Sequence, residues 1–485
     1  MKRLGVLLIL GFLSGALFAS SGAQDLNAEY DDKLYEVNRG LAASLASIGK
    51  SLQSAKMYKW ARDEFLTAIK LDPDCKLARQ KLGYTDGPDG WEFDPTVKLK
   101  LSNQKTGKDA AKARERWEKK RVSTGKKYSK KFVSLAAWCK KNGMEAEARK
   151  HYRQAVEYDP SSKKAREALG YEKRGKSGWI SPFEKDLRKR AAEGIMKAPK
   201  GSSLGEQTEA EKGMGMKFIK LKSDHFIVES PHMSKSNLED LVQHAEHAYA
   251  LWHHVFGQEN LFGDSNIEYC VLKDKAQHES FVDRFHTGAP DRKALAKRSA
   301  GMGTGTIQEC YQAGRGQPSL QDYVIHYTVQ SLQGRFAVGQ PSSGHNPIWL
   351  TEGTALYFTK LMKETAVWSC VDLTKSGTGR QKASKDPKDW AFIIRTFVKE
   401  GKDPDINAVI KCTNFAELDG PETVKAWSIV DFLMSEHRDK FIEFCKDLRA
   451  GTDNGEKSFK KVFEWSVQDL DNRWRAFAKQ AYIGL

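Results

Sequence analysis

Two short runs in the second half of the chain hold the residues with the clearest chemical potential. The first, residues 323–330, reads Tyr-Val-Ile-His-Tyr-Thr-Val-Gln and places His326 four positions before Gln330. The second, residues 346–358, reads Asn-Pro-Ile-Trp-Leu-Thr-Glu-Gly-Thr-Ala-Leu-Tyr-Phe and contains Glu352. Positions four apart share one face of a helix, and imidazole and carboxylate groups can bind metal ions or transfer protons. These runs are therefore the first candidates for a functional site.

The two runs resemble the motifs of gluzincin (thermolysin-like) metallopeptidases, and in particular those of secreted peptidase MA-like domains. In that family one helix carries His-Glu-x-x-His, and a later helix opens with Trp-Leu-x-Glu-Gly-x-Ala-x-Tyr. The resemblance implies that His326 occupies the position of the first zinc ligand and Glu352 that of the third. Tyr327 stands where the family has its general-base glutamate, and Gln330 stands where it has its second ligand histidine.

These two replacements remove the chemistry that the family uses. A glutamine offers zinc only a neutral carbonyl oxygen, so a His/Gln/Glu set should bind zinc far more weakly than His/His/Glu. A tyrosine hydroxyl, with a pKa of about 10, is a poor base at neutral pH. We therefore expect a pseudopeptidase without a cofactor, in which His326 and Glu352 are vestigial metal positions and the degenerate positions Tyr327 and Gln330 are not catalytic.

Two alternatives would keep a metal ion. An active zinc metallopeptidase could use His326 and Glu352 together with an unrecognised ligand and base, and His345 could supply the missing ligand from a loop. Separately, His244 and His247 lie three positions apart on a predicted helix and could share a metal ion. A solvated or partly packed helix face is the simpler interpretation of those two histidines.

The resemblance extends over residues 217–485 and implies an α+β gluzincin-like domain. Residues 225–228 and 267–272 are apolar and strand-like. Between them, Leu238–Phe256 has the periodicity of an amphipathic helix, and Gly257 is suited to end it. The remainder of this half has a mostly helical pattern.

The first 180 residues contain an internal repeat with an offset of 87 residues. The matching features are Ala61, Phe65, Ala68, Asp72-Pro73 and Leu82-Gly83-Tyr84 in the first unit, and Ala148, Tyr152, Ala155, Asp159-Pro160 and Leu169-Gly170-Tyr171 in the second. Alanines seven apart lie on one helix face, and Asp-Pro ends a helix because the residue before proline avoids the α conformation. Each unit resembles a tetratricopeptide repeat, which implies either a peptide-binding scaffold or a helical spacer.

The most basic part of the chain lies between the two repeat units. Residues 98–131 hold 14 Lys and Arg against 3 Asp and Glu, within a whole-chain net charge of +16. The candidate polyanion contacts are Lys119, Lys120, Arg121, Lys126 and Lys127. Such a run can bind phosphate, sulfated or uronic polymers by releasing counterions, or it can be the solvated face of a helix.

The N-terminus has the three parts of a secretory signal peptide. They are the basic Met1-Lys2-Arg3, an apolar run from Leu4 to Phe18, and the small residues Ser21-Gly22-Ala23. We predict cleavage before Gln24 and export to the periplasm or the extracellular space. No later apolar run approaches the roughly 20 residues of a membrane helix, so the mature chain is predicted to lack a transmembrane segment.

The sequence thus predicts a multidomain protein. Its parts are a signal peptide at 1–23, an all-α tetratricopeptide-like region at 24–200, a Gly- and Ser-rich linker at 201–216, and the gluzincin-like domain at 217–485. The 40% hydrophobic residues exclude wholesale disorder. The expected function is binding, either as a scaffold in the cell envelope or by holding a protein or peptide partner in the former substrate cleft. The other partner considered is an acidic polymer.

Overall fold

The structure is a computed structural model of the 485-residue chain. It describes residues 7–88, 90–97, 100, 102–104, 107–174, 178–257, 260–263, 265–312, 316–337, 347–364, 366, 390–412, 418, 420–450 and 455–482. The described chain is mostly helical and contains a mixed six-stranded sheet. It divides into two compact units, unit 1 ending at Glu172 and unit 2 beginning at Lys173.

Unit 1 is helical with a small β-hairpin. In chain order its described elements are α1 (Leu7–Ser54), α2 (Tyr58–Leu71), α3 (Lys76–Lys81), β1 (Tyr84–Gly87), β2 (Gly90–Phe93), α4 (Gly107–Lys141), α5 (Glu145–Tyr158) and α6 (Lys163–Ala168). Helices α5 and α6 begin 87 residues after α2 and α3, and α4 ends 87 residues after α1. The hairpin departs from the all-α prediction: strands β1 and β2 pair around a turn that places Gly90 at φ 110°.

The matching helices end in the same way. Helix α2 stops before Asp72, whose backbone is extended at φ −138° and ψ 99°. Helix α5 stops before Asp159, which is extended at φ −140° and ψ 94°. A proline follows each aspartate and disfavours the α conformation there. Ala68 and Ala155 are fully buried on the packed faces of these helices.

Glycines allow the helices of unit 1 to approach closely. A Cβ atom on Gly49 of α1 would lie 2.7 Å from the Cε1 atom of Phe65 on α2. A Cβ atom on Gly125 of α4 would lie 2.3 Å from the carbonyl oxygen of Tyr158, the last residue of α5. The helix spacing at both places therefore depends on the missing side chain.

Unit 2 is organised around the six-stranded sheet. Its described strands are β3 (Glu172–Arg174, which spans the boundary), β4 (Gly178–Ile180), β5 (Ser202–Ser203), β6 (Ile219–Lys222), β7 (Phe226–Ser230), β8 (Ile267–Leu272), β9 (Gly301–Thr304) and β10 (Ile307–Tyr311). Strands β3 and β4 pair separately, and the large sheet has the order β5-β6-β7-β8-β10-β9. Strands β7, β8 and β10 are mutually parallel, and the other pairs are antiparallel.

Helices cover the sheet and form the rest of unit 2. The described ones are α7 (Pro182–Glu193), α8 (Glu209–Met214), α9 (Lys235–Phe256), α10 (Lys275–Phe285), α11 (Pro290–Arg298), α12 (Gln317–Ala337), α13 (Ile348–Lys363), α14 (Trp390–Glu400), α15 (Ile406–Ile410), α16 (Gly420–Ala450), α17 (Glu456–Phe463) and α18 (Val467–Ala481). A 3-10 turn, Ile195–Lys197, follows α7.

Both faces of the central strand β8 are buried. Tyr269 and Val271 belong to a large core that includes residues of α9 and α12. Cys270 and Leu272 point to the opposite face and belong to a smaller core with Phe281 of α10. All six residues of β8 are buried, which explains why this strand is an almost continuous apolar run.

The strand predicted at 267–272 and the helix predicted at 238–256 are confirmed. Helix α9 begins three residues earlier than predicted because the Ser234 hydroxyl caps it, accepting a hydrogen bond from the backbone N–H of Asn237 at 3.2 Å. It ends at Phe256, and the Gly257 that follows has a φ of 106°. Capping and the glycine stop thus set the two ends of this helix.

The sequence-based boundaries near residue 200 differ from the structure. The compact units divide at residue 172, because α7 packs against α13 and α9 of unit 2. Residues 201–216, which the composition indicates as a linker, hold strand β5 and helix α8. The Thr208 hydroxyl caps α8 by accepting a hydrogen bond from the backbone N–H of Glu211 at 3.1 Å. Pairing of β5 with β6 thus gives regular secondary structure to a segment that contains few apolar residues.

Across the helices of the described residues, none combines the length and the apolar composition that crossing a membrane requires.

Candidate functional site

Helices α12 and α13 carry the two runs that the sequence singles out. The two helices pack against each other at the centre of unit 2. Every residue of α13 from Ile348 to Thr359 is buried, so this helix is enclosed on all sides. Helix α13 ends at Lys363, and Glu364 follows in the left-handed conformation with a φ of 57°. Packing from all directions therefore fixes the position of Glu352.

The structure brings three of the predicted site residues together. The Nε2 atom of His326 lies 3.3 Å from the Oε2 atom of Glu352. The Nε2 atom of Gln330 donates a hydrogen bond to that same oxygen at 3.2 Å. His326 and Gln330 are one turn apart on α12, so both reach the facing helix. We call these three residues the α12–α13 triad.

The orientation of the Gln330 amide follows from what it faces. Turning the amide so that its oxygen faced Glu352 would place two hydrogen-bond acceptors against each other, whereas the NH₂ group can donate to the carboxylate. The side chains of His326 and Glu352 are both fully buried. A buried carboxylate needs hydrogen-bond donors, and Gln330 supplies one of them.

Tyr327 packs as an aromatic side chain rather than standing in open solvent. It is partly buried against the large core. Its ring centroid is 4.8 Å from that of Tyr323 and 5.3 Å from that of His326. These spacings are typical of favourable aromatic pairs, so Tyr327 contributes to the packing of α12.

The triad does not fit a zinc ion in this arrangement. The Gln330 group that faces Glu352 is an N–H donor, and a metal ligand must present a lone pair instead. Among the described residues, no group of three or more His, Cys, Asp and Glu is placed to hold a metal ion. His345, the candidate replacement ligand, lies outside the described residues.

The histidines of α9 are held by separate partners. His244 Nδ1 donates to the carbonyl oxygen of Asp240 at 2.7 Å. His247 Nε2 donates to the carbonyl oxygen of Ala191 at 3.1 Å, and burial lowers the pKa of His247. Both imidazoles line a cavity of about 180 Å³. Each is a buried, hydrogen-bonded side chain, in keeping with the packed-face interpretation.

The five candidate basic residues lie on α4 of unit 1 and have different surroundings. Arg121 forms an ion pair with the buried Glu64, with 2.9 Å between Nε and Oε1. Trp117 donates from its Nε1 atom to the same Glu64 oxygen at 2.7 Å. Arg121 is therefore part of the packing of unit 1. The other four are exposed on the same helix: Lys119, Lys120, Lys126 and Lys127.

Sequence reasoning missed a buried group of carboxyl side chains beneath α8 and α10. Glu229 of β7, Glu268 of β8 and Glu309 of β10 lie on neighbouring parallel strands, and we call them the carboxyl cluster. Thr208 donates from Oγ1 to Glu229 Oε2 at 2.6 Å. The Nδ1 atom of His278 lies 2.8 Å from Glu309 Oε2. The signal that could have found the cluster is a glutamate inside each of three apolar strand runs.

Burial controls the protonation of the carboxyl cluster. Burial, together with the adjacent Glu268, raises the pKa of Glu229 to about 9. Burial also raises the pKa of Glu268. Burial works against the charge on His278, but the hydrogen bond to Glu309 raises the pKa of this histidine. Glu229 and Glu268 are thus expected to share a proton at neutral pH, because two adjacent buried carboxylates repel.

No protein-family model and no curated protein matches this chain. The gluzincin and tetratricopeptide resemblances therefore stay predictions that rest on the sequence motifs.

Proposed function

We propose that this chain is an exported pseudopeptidase, a metallopeptidase-like protein that acts as a binding or scaffold module instead of cleaving peptides. The observation that carries the proposal is the hydrogen bond from Gln330 Nε2 to Glu352 Oε2 at 3.2 Å. Where the resemblance expects a histidine nitrogen with a free lone pair, an amide N–H donates to the carboxylate. With its N–H turned to Glu352, the amide directs its carbonyl oxygen, the one atom with which glutamine could bind zinc, away from the third ligand position.

The missing base supports the same proposal. Hydrolysis by a zinc-bound water needs a group that takes its proton, and in the family a glutamate beside the first ligand does so. This chain has Tyr327 there, and a tyrosine hydroxyl with a pKa of about 10 remains protonated at neutral pH. Complete burial of His326 and Glu352 also keeps them from a substrate. Restoring activity would therefore require at least two substitutions.

The partner that we propose for unit 2 is a protein or a peptide. The support is the resemblance itself, since the family holds an extended peptide beside the helices that correspond to α12 and α13. A domain that keeps this architecture but loses the general base and the second ligand can still bind a peptide, but it cannot hydrolyse it. The rival is an active zinc metallopeptidase with non-standard ligands.

Zinc content and peptide hydrolysis, measured on the same preparation of the full chain, separate the proposal from its rival. We expect substoichiometric zinc by elemental analysis and no hydrolysis of a mixed-peptide substrate. Equimolar zinc together with cleavage that a chelator abolishes would contradict the pseudopeptidase proposal. The measurement also covers a ligand such as His345, because it does not depend on knowing the ligand set.

A restored-ligand variant tests the placement of the triad. Gln330→His should create a His/His/Glu set and gain zinc, seen as a rise to about one zinc per chain. The matched control adds Glu352→Gln to that variant, which removes the third ligand and should abolish the gain. If Gln330→His folds but binds no more zinc than the unmodified chain, the assignment of these positions is wrong.

The proposed export has its own test. The basic, apolar and small-residue segments before Gln24 support cleavage at that point. Mass spectrometry of the secreted or periplasmic fraction should find a chain that begins at Gln24. A chain recovered only with its N-terminal Met1 intact, inside the cell, would contradict export.

A further inference from the structure

Unit 1 contains an open cleft between helices α1 and α4. Its volume is about 460 Å³. Four hydroxyl groups and one ammonium group line it, from Ser44 and Ser47 of α1 and Lys120, Ser123 and Thr124 of α4, together with the apolar Ala43 and Ile48 of α1. None of its lining residues is aromatic. The lining thus offers hydrogen-bond donors and positive charge, without a surface on which a planar ring could stack.

Contacts across the cleft hold its two walls in place. Lys120 Nζ donates to the Ser51 hydroxyl of α1 at 3.0 Å. At the other end, the hydroxyls of Ser44 and Tyr128 lie 3.2 Å apart. Helix α4 is further held by the contact of Gly125 with the end of α5. The lining groups are therefore positioned before any ligand binds, which reduces the entropy cost of binding.

The stretches of the two helices that line the cleft contain no acidic residue, and the glutamates that precede Lys120 on α4, Glu115 and Glu118, form ion pairs with Lys119 and Arg114. Between Val37 and Arg62, and again between Lys119 and Met144, the sequence contains no Asp or Glu. Lys127 lies seven positions after Lys120 on the same side of α4, and it is also exposed. The cleft therefore lies within a region of uncompensated positive charge, where an anion is attracted over distances comparable to the Debye length.

We propose that this cleft binds an acidic polysaccharide, with carboxylate or sulfate groups of the polymer at Lys120 and Lys127. The four hydroxyls suit a ligand that is itself rich in hydroxyl groups, since each can donate to and accept from a sugar. The open form of the cleft suits a polymer that lies across it. This inference concerns unit 1 alone and does not depend on the proposed function of unit 2.

The proposal is tested by measuring how labelled polygalacturonate and dextran sulfate bind to the full chain at several salt concentrations. Neutral dextran, which carries no charge, is the negative control. Binding should weaken as NaCl rises from about 50 to about 300 mM, because counterions are released. The double variant Lys120→Gln/Lys127→Gln should reduce the slope of log K against log salt by about 2, roughly one for each lost contact. At low salt we expect a loss of at least tenfold in affinity.

Two further variants separate the cleft from general basicity. Lys140→Gln/Lys141→Gln makes the same charge change at exposed positions on α4 that begin 20 residues, or about 30 Å, beyond Lys120. It should leave affinity nearly unchanged. A double alanine variant of the hydroxyls, Ser47→Ala/Ser123→Ala, should weaken binding several-fold without changing the salt slope.

Three results would overturn the proposal. The first is equal loss in both lysine double variants, which would mean that only net charge matters. The second is binding of poly-L-glutamate as tight as that of polygalacturonate, which would identify an acidic polypeptide as the ligand. The third is an absence of polysaccharide binding by a chain whose circular dichroism shows that it is folded.

Discussion

Replacing Glu229 with glutamine should stabilise unit 2, and the gain should grow as the pH rises. Glu229 is fully buried, accepts a hydrogen bond from Thr208 at 2.6 Å, and lies beside Glu268 of the neighbouring strand. Lys220 favours the charged form of Glu229, but this effect is smaller than that of burial. A glutamine has the shape of a protonated glutamate. Its carbonyl can accept from Thr208 while its NH₂ donates to Glu268.

The magnitude follows from proton linkage. The pKa of Glu229 rises from about 4.5 in the unfolded chain to about 9 in the folded one. Below pH 4.5 both states are protonated and folding carries no penalty. Between pH 4.5 and 9 the unfolded chain releases the proton while the folded chain keeps it, so stability falls by about 1.4 kcal/mol per pH unit. At pH 7 the loss amounts to about 3 kcal/mol, and Glu229→Gln removes it.

Urea unfolding from pH 4.5 to pH 8.5 measures this difference. Hydrogen exchange of strands β7 and β8, followed by mass spectrometry, assigns the transition to unit 2. The free-energy difference between Glu229→Gln and the unmodified chain should be near zero at pH 4.5 and about 3 kcal/mol in favour of the variant at pH 7. A difference that does not change with pH would refute the reasoning.

A second buried glutamate of unit 2 provides a control of opposite sign. Burial alone would raise the pKa of Glu246, but hydrogen bonds from the Nδ1 and backbone N–H groups of His225, at 2.8 and 3.1 Å, lower it. A lowered pKa means stability that is present above pH 4.5 and lost as the pH falls. Glu246→Gln should therefore destabilise unit 2 at pH 7, and the loss should shrink towards pH 4.

Two further predictions concern packing and buried charge. Lys425 is fully buried, with its Nζ atom 3.0 Å from both Asp403 Oδ2 and Asp471 Oδ1. Arg475 also pairs with both carboxylates, at 2.8 Å from Asp403 Oδ1 and 2.9 Å from Asp471 Oδ2. Lys425→Met leaves these two carboxylates with Arg475 as their one remaining cation among the described pairs, so it should lower the free energy of unfolding by roughly 3–5 kcal/mol in urea. In unit 1, Gly125→Ala would place its Cβ atom 2.3 Å from the carbonyl oxygen of Tyr158 and should cost about 1–3 kcal/mol, measured by thermal unfolding.

Matched variants check the cause of each effect. Adding Asp471→Asn to Lys425→Met leaves one carboxylate, Asp403, to pair with Arg475, so part of the lost stability should return. A double variant no more stable than Lys425→Met alone would exclude the charge explanation. The control for Gly125→Ala is Gly205→Ala, because a Cβ atom added at Gly205 would have no heavy atom of the described residues within 4 Å. Equal losses at Gly125 and Gly205 would contradict the contact argument.

Local patterns predict much of the secondary structure of this chain. The helix before Asp72 and the helix before Asp159 end as expected, because the effect of a following proline acts within the chain. The strand at 267–272 follows from its apolar run, and the end of α9 follows from Gly257. In each of these cases the determining residues are adjacent in sequence.

The parts that could not be predicted depend on distant partners. Strand β5 is only two residues long and pairs with β6, so residues 201–216 have the composition of a linker. The ion cluster around Lys425 joins residues 22 and 46 positions away. Such pairs produce no periodic pattern in the sequence, because their geometry exists only after the helices have packed.

The candidate site shows the same division. The sequence alone identified His326, Gln330 and Glu352 and the chemistry that these residue types exclude. It could do so because the donors, acceptors and pKa range of a side chain are properties of the residue type. The tertiary structure decided that one oxygen of Glu352 faces both other residues in a fully buried position. It also decided that three buried strand glutamates share one face of the sheet beneath α8 and α10, and that Lys120 lies in a cleft while Arg121 pairs with Glu64. Residue type sets what a group can do, and packing sets which groups it meets.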